Sequence, residues 1–192
     1  MFDLIKEFEA ITPIPDDAQL FILRHLKEER FGKNKYLLQA GQVCRYLYFI
    51  REGIVCGFFK HYGKDHVMRF VQNQEICLVP ESFLKQTPSR ENLQAIIESS
   101  VYALSFDTIH KACRLWPKFH MILNHYLSQQ VIEATNCLYM LRSLDSFHRY
   151  KWIKGHFSQK KIPVKKMASY IGLSDRSLYR LSRRDSRKPP LQ

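Results

Sequence analysis

The tightest constraint on this chain's fold is a change of rhythm partway along it. Residues 35–106 run as short apolar and aromatic stretches at 36–38, 46–50, 54–59, 67–71, 93–97 and 101–106. Turn formers separate them: Ala40-Gly41, Arg51-Glu52-Gly53, Tyr62-Gly63-Lys64 and Glu98-Ser99-Ser100. Strand-length runs at short, regular intervals demand an antiparallel sandwich, here a β-roll or jelly roll. Upstream, Asp16-Asp17 opens a segment through Arg30 with Leu20, Leu23 and Leu26/Lys27 at helical spacing, which predicts a helix over 16–30. Downstream, 106–108 returns the chain to helix, and Trp116-Pro117 breaks it, with Pro117 placed as the first residue of the next helix.

From residue 118 to 144 neither Gly nor Pro intervenes. Leu123, Leu127, Gln130, Ala134, Cys137, Leu141 and Leu144 step by alternating fours and threes, with Phe119, Tyr126 and Leu138 widening the stripe. Such a helix is about 40 Å long, more than one small sheet can cover, so the stripe predicts pairing with a second copy. Gln130 is the single polar residue in the seam and suits a register-setting role.

Charge is distributed as unevenly as the rhythm. The chain of 192 residues carries a net +12, yet residues 1–147 hold 17 Lys/Arg against 16 Asp/Glu, whereas residues 148–192 hold 13 against 2. A compact basic module on a near-neutral body is the footprint of polyanion binding. The five cysteines, Cys44, Cys56, Cys77, Cys113 and Cys137, are scattered with no CxxC and read as reduced core thiols, not as a disulfide framework or metal set. No run of about 18 apolar residues occurs, and the start Met1-Phe2-Asp3-Leu4-Ile5-Lys6-Glu7 has no secretory pattern, so a soluble, cytoplasmic protein without membrane contact is expected.

Within the basic module, residues 144–157 predict a helix ending near Gly155, and residues 164–181 have the layout of a helix-turn-helix. Ala168 is small where two helices touch, Gly172 suits a left-handed turn, and Ser174 is placed to cap the second helix. Ile171, Leu173, Leu178 and Leu181 pin the pair. The second helix, about 174–184, then presents Ser174, Asp175, Arg176, Ser177, Tyr179, Arg180, Arg183 and Arg184 to a major groove of double-stranded DNA. Arg176 and Arg180, one turn apart, suit bidentate contact with guanine, while Lys160, Lys161, Lys165, Lys166, Arg183 and Arg184 suit phosphates.

The order β-roll, long helix, helix-turn-helix resembles the CRP/FNR family of bacterial transcription regulators. The match is carried by Leu38-Gln39-Ala40-Gly41-Gln42 with Tyr48-Phe49-Ile50-Arg51-Glu52-Gly53-Ile54-Val55, and by Ile162-Pro163 with Ala168-Ser169-Tyr170-Ile171-Gly172-Leu173-Ser174. The resemblance implies an α+β chain with a jelly-roll, cyclic-nucleotide-binding-like domain over 1–116, a dimerisation helix over 117–144 and a helix-turn-helix domain over 145–192. It further implies a homodimer on a two-fold operator, contact with RNA polymerase, and a small-molecule effector in the roll, with Arg69, Ser82, Arg90 and Asn92 as polar lining.

Two departures modify that expectation. Where the family binds a cyclic phosphate with a Gly-Glu loop and an Arg-Ser/Thr-Ala, this chain has Leu78-Val79, and Arg90 stands out of register beside Glu91. A cyclic phosphate needs backbone N–H groups and an uncompensated guanidinium, so response to cyclic AMP is not expected. The reading helix replaces a usual Glu by Arg176, which predicts a different target, and the sequence after Arg184 is expected to leave no room for a β-wing. Two other readings stay open: a roll that binds protein or ligand beside a non-specific nucleic-acid tail, and a cupin-like metal enzyme. His61 and His66, five apart with no H-x-H and no matching Glu, make a poor metal set, and no catalytic residues, cofactor or metal are expected.

Overall fold

The computed structural model describes residues 2–157 and 162–186. Two short helices, α1 (Phe2–Ile11) and α2 (Asp16–His25), precede strands β1 (Lys27–Phe31), β2 (Tyr36–Leu38), β3 (Tyr46–Glu52), β4 (Val55–His61), β5 (Lys64–Val71) and β6 (Ile76–Cys77). Helix α3 (Pro80–Lys85) leads to β7 (Asn92–Ala95) and β8 (Ser99–Ser105). Helices α4 (Phe106–Leu115), α5 (Phe119–Ser143), α6 (Ser146–His156), α7 (Val164–Tyr170) and α8 (Asp175–Ser186) follow.

The strands form two four-stranded sheets, ordered β1-β8-β3-β6 and β2-β7-β4-β5, and every pairing is antiparallel. Ile50, Val55, Leu93, Ala95 and Val101 are fully buried between them, the interior the apolar runs anticipate. Gly53, at φ +121°, passes so close to β8 that a Cβ would fall 2.1 Å from Ser99 Oγ. All five cysteines are free, and burial pushes the Cys56 and Cys77 thiols up to about 12, which keeps them protonated and inert.

The helix expected over 16–30 stops at His25. Lys27-Glu28-Glu29-Arg30-Phe31 instead forms the edge strand β1, pairing Glu29 with Val101. Its charged, mostly exposed side chains are tolerated because β1 has one neighbour strand and a solvent-facing edge. Pro117 precedes the long helix rather than starting it. It lies in a turn whose carbonyl accepts from His120 N at 3.0 Å, and the helix begins at Phe119. Helix α6 runs through Gly155 to His156, with its first turn capped by Asp145, which accepts from Phe147 N and His148 N at 2.9 Å each.

Two buried clusters organise the molecule. One lies within the roll under α1, α2 and α4. The other joins roll residues Ile54, Cys56, Phe58, Val67, Phe70 and Ile96 to Met140, Ile153, Met167, Ala168, Ile171 and Leu178. The basic module therefore shares a core with the roll.

Candidate nucleic-acid interface and adjoining cavity

Helices α7 and α8 meet as the sequence pattern requires. Ala168 is fully buried at their contact, Leu173 N donates to Ala168 O at 2.9 Å, and Gly172 turns the chain at φ +67°. Ser174 caps α8: its Oγ accepts from Ser177 N at 3.1 Å and donates to Ser177 Oγ at 2.9 Å. Ile171, Leu178 and Leu181 are buried and hold the pair together. Because the Ser174 and Ser177 hydroxyls bond each other, both act first in shaping the helix start.

The opposite face of α8 is open and basic. Arg176, Tyr179, Arg180, Arg183 and Arg184 are exposed, with Asp175 half-buried. The Arg184 guanidinium lies over the Phe147 ring, 5.4 Å from its centroid, and is drawn towards α6. Asp185 receives Lys151 and Lys154 of α6, and these lysines hold its carboxyl down to about 2. A residue that the sequence pattern does not single out is Arg149. It donates to Leu144 O (2.9 Å), Leu141 O (2.6 Å) and Ile171 O (3.4 Å), tying the end of α5 to the α7–α8 turn. The available signal was a basic residue just past the end of a long helix, where carbonyls have no intrahelical partner.

The two lysines of α7 part ways. Lys165 is exposed. Lys166 is placed against the roll, not towards solvent: its Nζ is 3.0 Å from Asp65 Oδ2 and 3.5 Å from the Phe58 ring centroid. Ser169 extends the same contact, accepting from Val67 N at 3.0 Å and donating to Asp65 O at 2.7 Å. Lys160 and Lys161 lie outside the described residues.

Between the roll, α3 and α5 is a cavity of about 1010 Å³. Of the four polar residues expected there, Arg69, Ser82 and Arg90 line it. Asn92 does not. It is buried in β7, accepting from Ala40 N at 3.0 Å. Ser82 Oγ is already engaged, accepting from Cys44 N at 2.9 Å and donating to Thr87 O. Arg69 lies flat across β4 where Gly57 leaves room, since a Cβ there would stand 3.0 Å from Arg69 Cγ. Its guanidinium is taken up by Glu91, with Nη1 to Oε2 2.8 Å, and by Leu78 O at 3.0 Å from Nη2. Leu78 and Val79 are buried. Glu91 pairs with Arg69 and not with its neighbour Arg90, which is exposed on the cavity lining and forms no ion pair among the described residues. What the lining lacks for a cyclic phosphate is the glycine loop, since Leu78 and Val79 stand in its place. Arg69 Nε and Gln130 Nε2 are buried with no hydrogen-bond partner among the described residues.

Helix α5 divides its apolar residues differently from the predicted stripe. Leu127, Gln130 and Ala134 line the cavity, Cys137 packs against the cluster that holds Tyr170 of α7, and Leu141 abuts Gly172; Leu123 packs against the roll core. The large apolar residues of α5 left to solvent are Met121, Val131, Ile132, Leu138 and Tyr139, with Val131 and Tyr139 each 66% exposed; Leu138 belongs to the expected stripe, whose Ala134 is exposed too. Among the described residues no helix is long and apolar enough to cross a membrane.

Residues 28–114 match a family model described as the cyclic nucleotide-binding domain. Comparison with curated proteins gives no match. Among solved structures, the chain is similar to FixK2 from Bradyrhizobium japonicum, with 14% identity over 83% of each chain and a TM-score of 0.74. It is similar to the c-di-GMP responsive global regulator CLP of Xanthomonas campestris, with 16% identity, 90% of this chain and 92% of that one covered, and a TM-score of 0.71. A transcriptional regulator of the CRP/FNR family from Eubacterium rectale gives a TM-score of 0.75 at 10% identity, covering 90% of this chain and 84% of that one.

Proposed function

We propose, for a chain that carries the cyclic nucleotide-binding domain over residues 28–114 within the fold of the CRP/FNR transcription regulators, that it is a dimeric, sequence-specific DNA-binding regulator. The observation that carries this reading is the basic outward face of α8, where Arg176 and Arg180 stand one turn apart on a helix capped by Ser174 and backed by a buried α7. Arg176 and Arg180 read base edges; Lys165 and Arg183 meet phosphates. The protein acts by binding, not catalysis.

The second copy covers the exposed stripe Met121, Val131, Ile132, Leu138 and Tyr139, and two reading heads then address a two-fold operator. RNA polymerase is the partner through which bound protein alters transcription in the cytoplasm. Cyclic AMP is not the effector, because buried Leu78 and Val79 stand where a cyclic phosphate would need a glycine loop, and Glu91 takes up Arg69. The cavity instead takes a small, largely apolar effector offering an acceptor to Arg69 Nε or Gln130 Nε2. The roll and α5 would report its presence to α7 through Tyr170 and Ser169.

Selection of bound duplexes from a random pool tests this reading. A regulator yields a two-fold symmetric motif preferred over random DNA by at least about 10³. Recovery of sequences with no common motif would leave a non-specific binder and refute the reading.

A further inference from the structure

The β4–β5 hairpin of the roll ends in a tip that carries a side chain its turn does not call for. His61 pairs with Lys64, so the loop is the two residues Tyr62-Gly63, with φ 48° and 73°. Positive φ at both positions defines the type I′ turn, whose first position favours Asn, Asp or Gly; a tyrosine there is strained by its own side chain. That tyrosine buries almost nothing, being 91% exposed, and its ring meets the exposed neighbour His61, at 4.2 Å between centroids. A strained residue that contributes no burial points to a role outside the fold.

The surroundings say which kind of partner. Lys60, His61, Lys64 and His66 are all exposed around Tyr62, and neither lysine forms an ion pair among the described residues. Asp65, the one acid at the tip, is held by Lys166 of α7, so the tip stays basic. The same ion pair and the Ser169 bonds to Asp65 O and Val67 N fix the hairpin to the first helix of the reading head, beside exposed Lys165.

We propose that the β4–β5 tip is a second DNA contact, in which Lys60 and Lys64 bind backbone phosphates and Tyr62 packs against sugar or donates its hydroxyl to a phosphate. The hairpin thereby extends the basic surface of the reading head onto the roll. This rests on the DNA-binding reading above and adds a second anchor to it. The contact is sequence-independent, because it reaches the backbone and not base edges.

The test uses the full-length protein and a random-sequence duplex about 40 base pairs long, with affinity measured across salt concentrations. K60Q/K64Q should bind more weakly and lower the slope of log affinity against log salt by about 0.9 for each phosphate that is no longer neutralised. Its preference for a selected motif over random DNA should be unchanged. Y62N separates binding from folding: asparagine suits the turn, so the melting temperature should hold or rise while affinity falls by about threefold to tenfold. Wild-type protein that binds no duplex at low salt would remove the DNA reading itself. Wild-type binding with an unchanged slope in K60Q/K64Q, or with full affinity in Y62N, would overturn the hairpin assignment alone, including where the tip instead contacts a protein.

Discussion

At the scale of single residues, charge and close contact decide what can be changed. Arg176→Ala or Arg180→Ala should cost about 1–3 kcal/mol on a selected operator and relax preference at one base position per half-site, measured by competition with singly altered duplexes. An equal loss on every sequence would mark the side chain as a phosphate contact. Gly53→Ala should cost well over 1 kcal/mol in denaturant unfolding, because a Cβ 2.1 Å from Ser99 Oγ cannot fit and φ +121° is denied to alanine. Asp185 gives a pH signature. Lys151 and Lys154 lower its folded-state pKa to about 2, beneath the unfolded value of about 3.9, so its contribution is complete above the unfolded value and is lost as pH falls through that interval. The melting-temperature difference between wild type and Asp185→Asn should therefore be constant from neutral pH down to about 5 and shrink towards pH 2. A difference independent of pH would mean that the lysine bonds do not set it.

Among elements, legibility followed the strength of the local pattern. Strands β3, β4 and β8, and helices α7 and α8, appear within a residue or two of where period and turn chemistry put them, because apolar residues, Gly53, Gly172 and Ser174 all act locally. Strand β1 was not legible. Lys27-Glu28-Glu29-Arg30 has no alternation, and it is a strand only because β8, distant in sequence, offers it a ladder. The two-residue β6 and six-residue α3 are too short to leave a period. Three of the four cavity residues were found as polar positions at strand ends, whereas the Arg69–Glu91 pairing depends on β5 and β7 lying either side of β4 and could not be read from spacing. On α5, Leu127, Cys137 and Leu141 of the expected seam are partly buried against the same chain's roll and α7–α8 pair, a choice that tertiary contact makes and periodicity cannot, while Ala134 of that seam stays exposed. The dimer proposal consequently belongs to the exposed stripe. Val131→Glu/Leu138→Glu should yield monomers by sedimentation while leaving the melting temperature of the monomer nearly unchanged; Leu127→Glu should instead destabilise the fold itself. A dimer undiminished in Val131→Glu/Leu138→Glu would place the interface elsewhere.

For the molecule as a whole, the shared core matters more than the division into parts. Phe70 of β5 meets Tyr170 of α7 and Phe157 after α6 at 5.3 Å between centroids in each case, and Lys166 and Ser169 add polar bonds to Asp65 and Val67. Two regions so joined should unfold together, and the two tryptophans report on each separately. Trp116 packs against Phe21 and donates to Asp17 on the roll side, while Trp152 stacks on His156 and packs near Tyr170. Single-tryptophan proteins, Trp116→Phe and Trp152→Phe, should show coincident fluorescence transitions in urea. Phe70→Ala, which empties a core position on the seam between the regions, should lower stability by about 3–5 kcal/mol and either shift both transitions or split them, with Trp152 melting first. Separate transitions in the unmodified core would mean that the contacts between α7 and β5 are too weak to couple the halves. An effector in the cavity could then stabilise the roll without moving the reading head, because coupling between sites requires an element whose state both share.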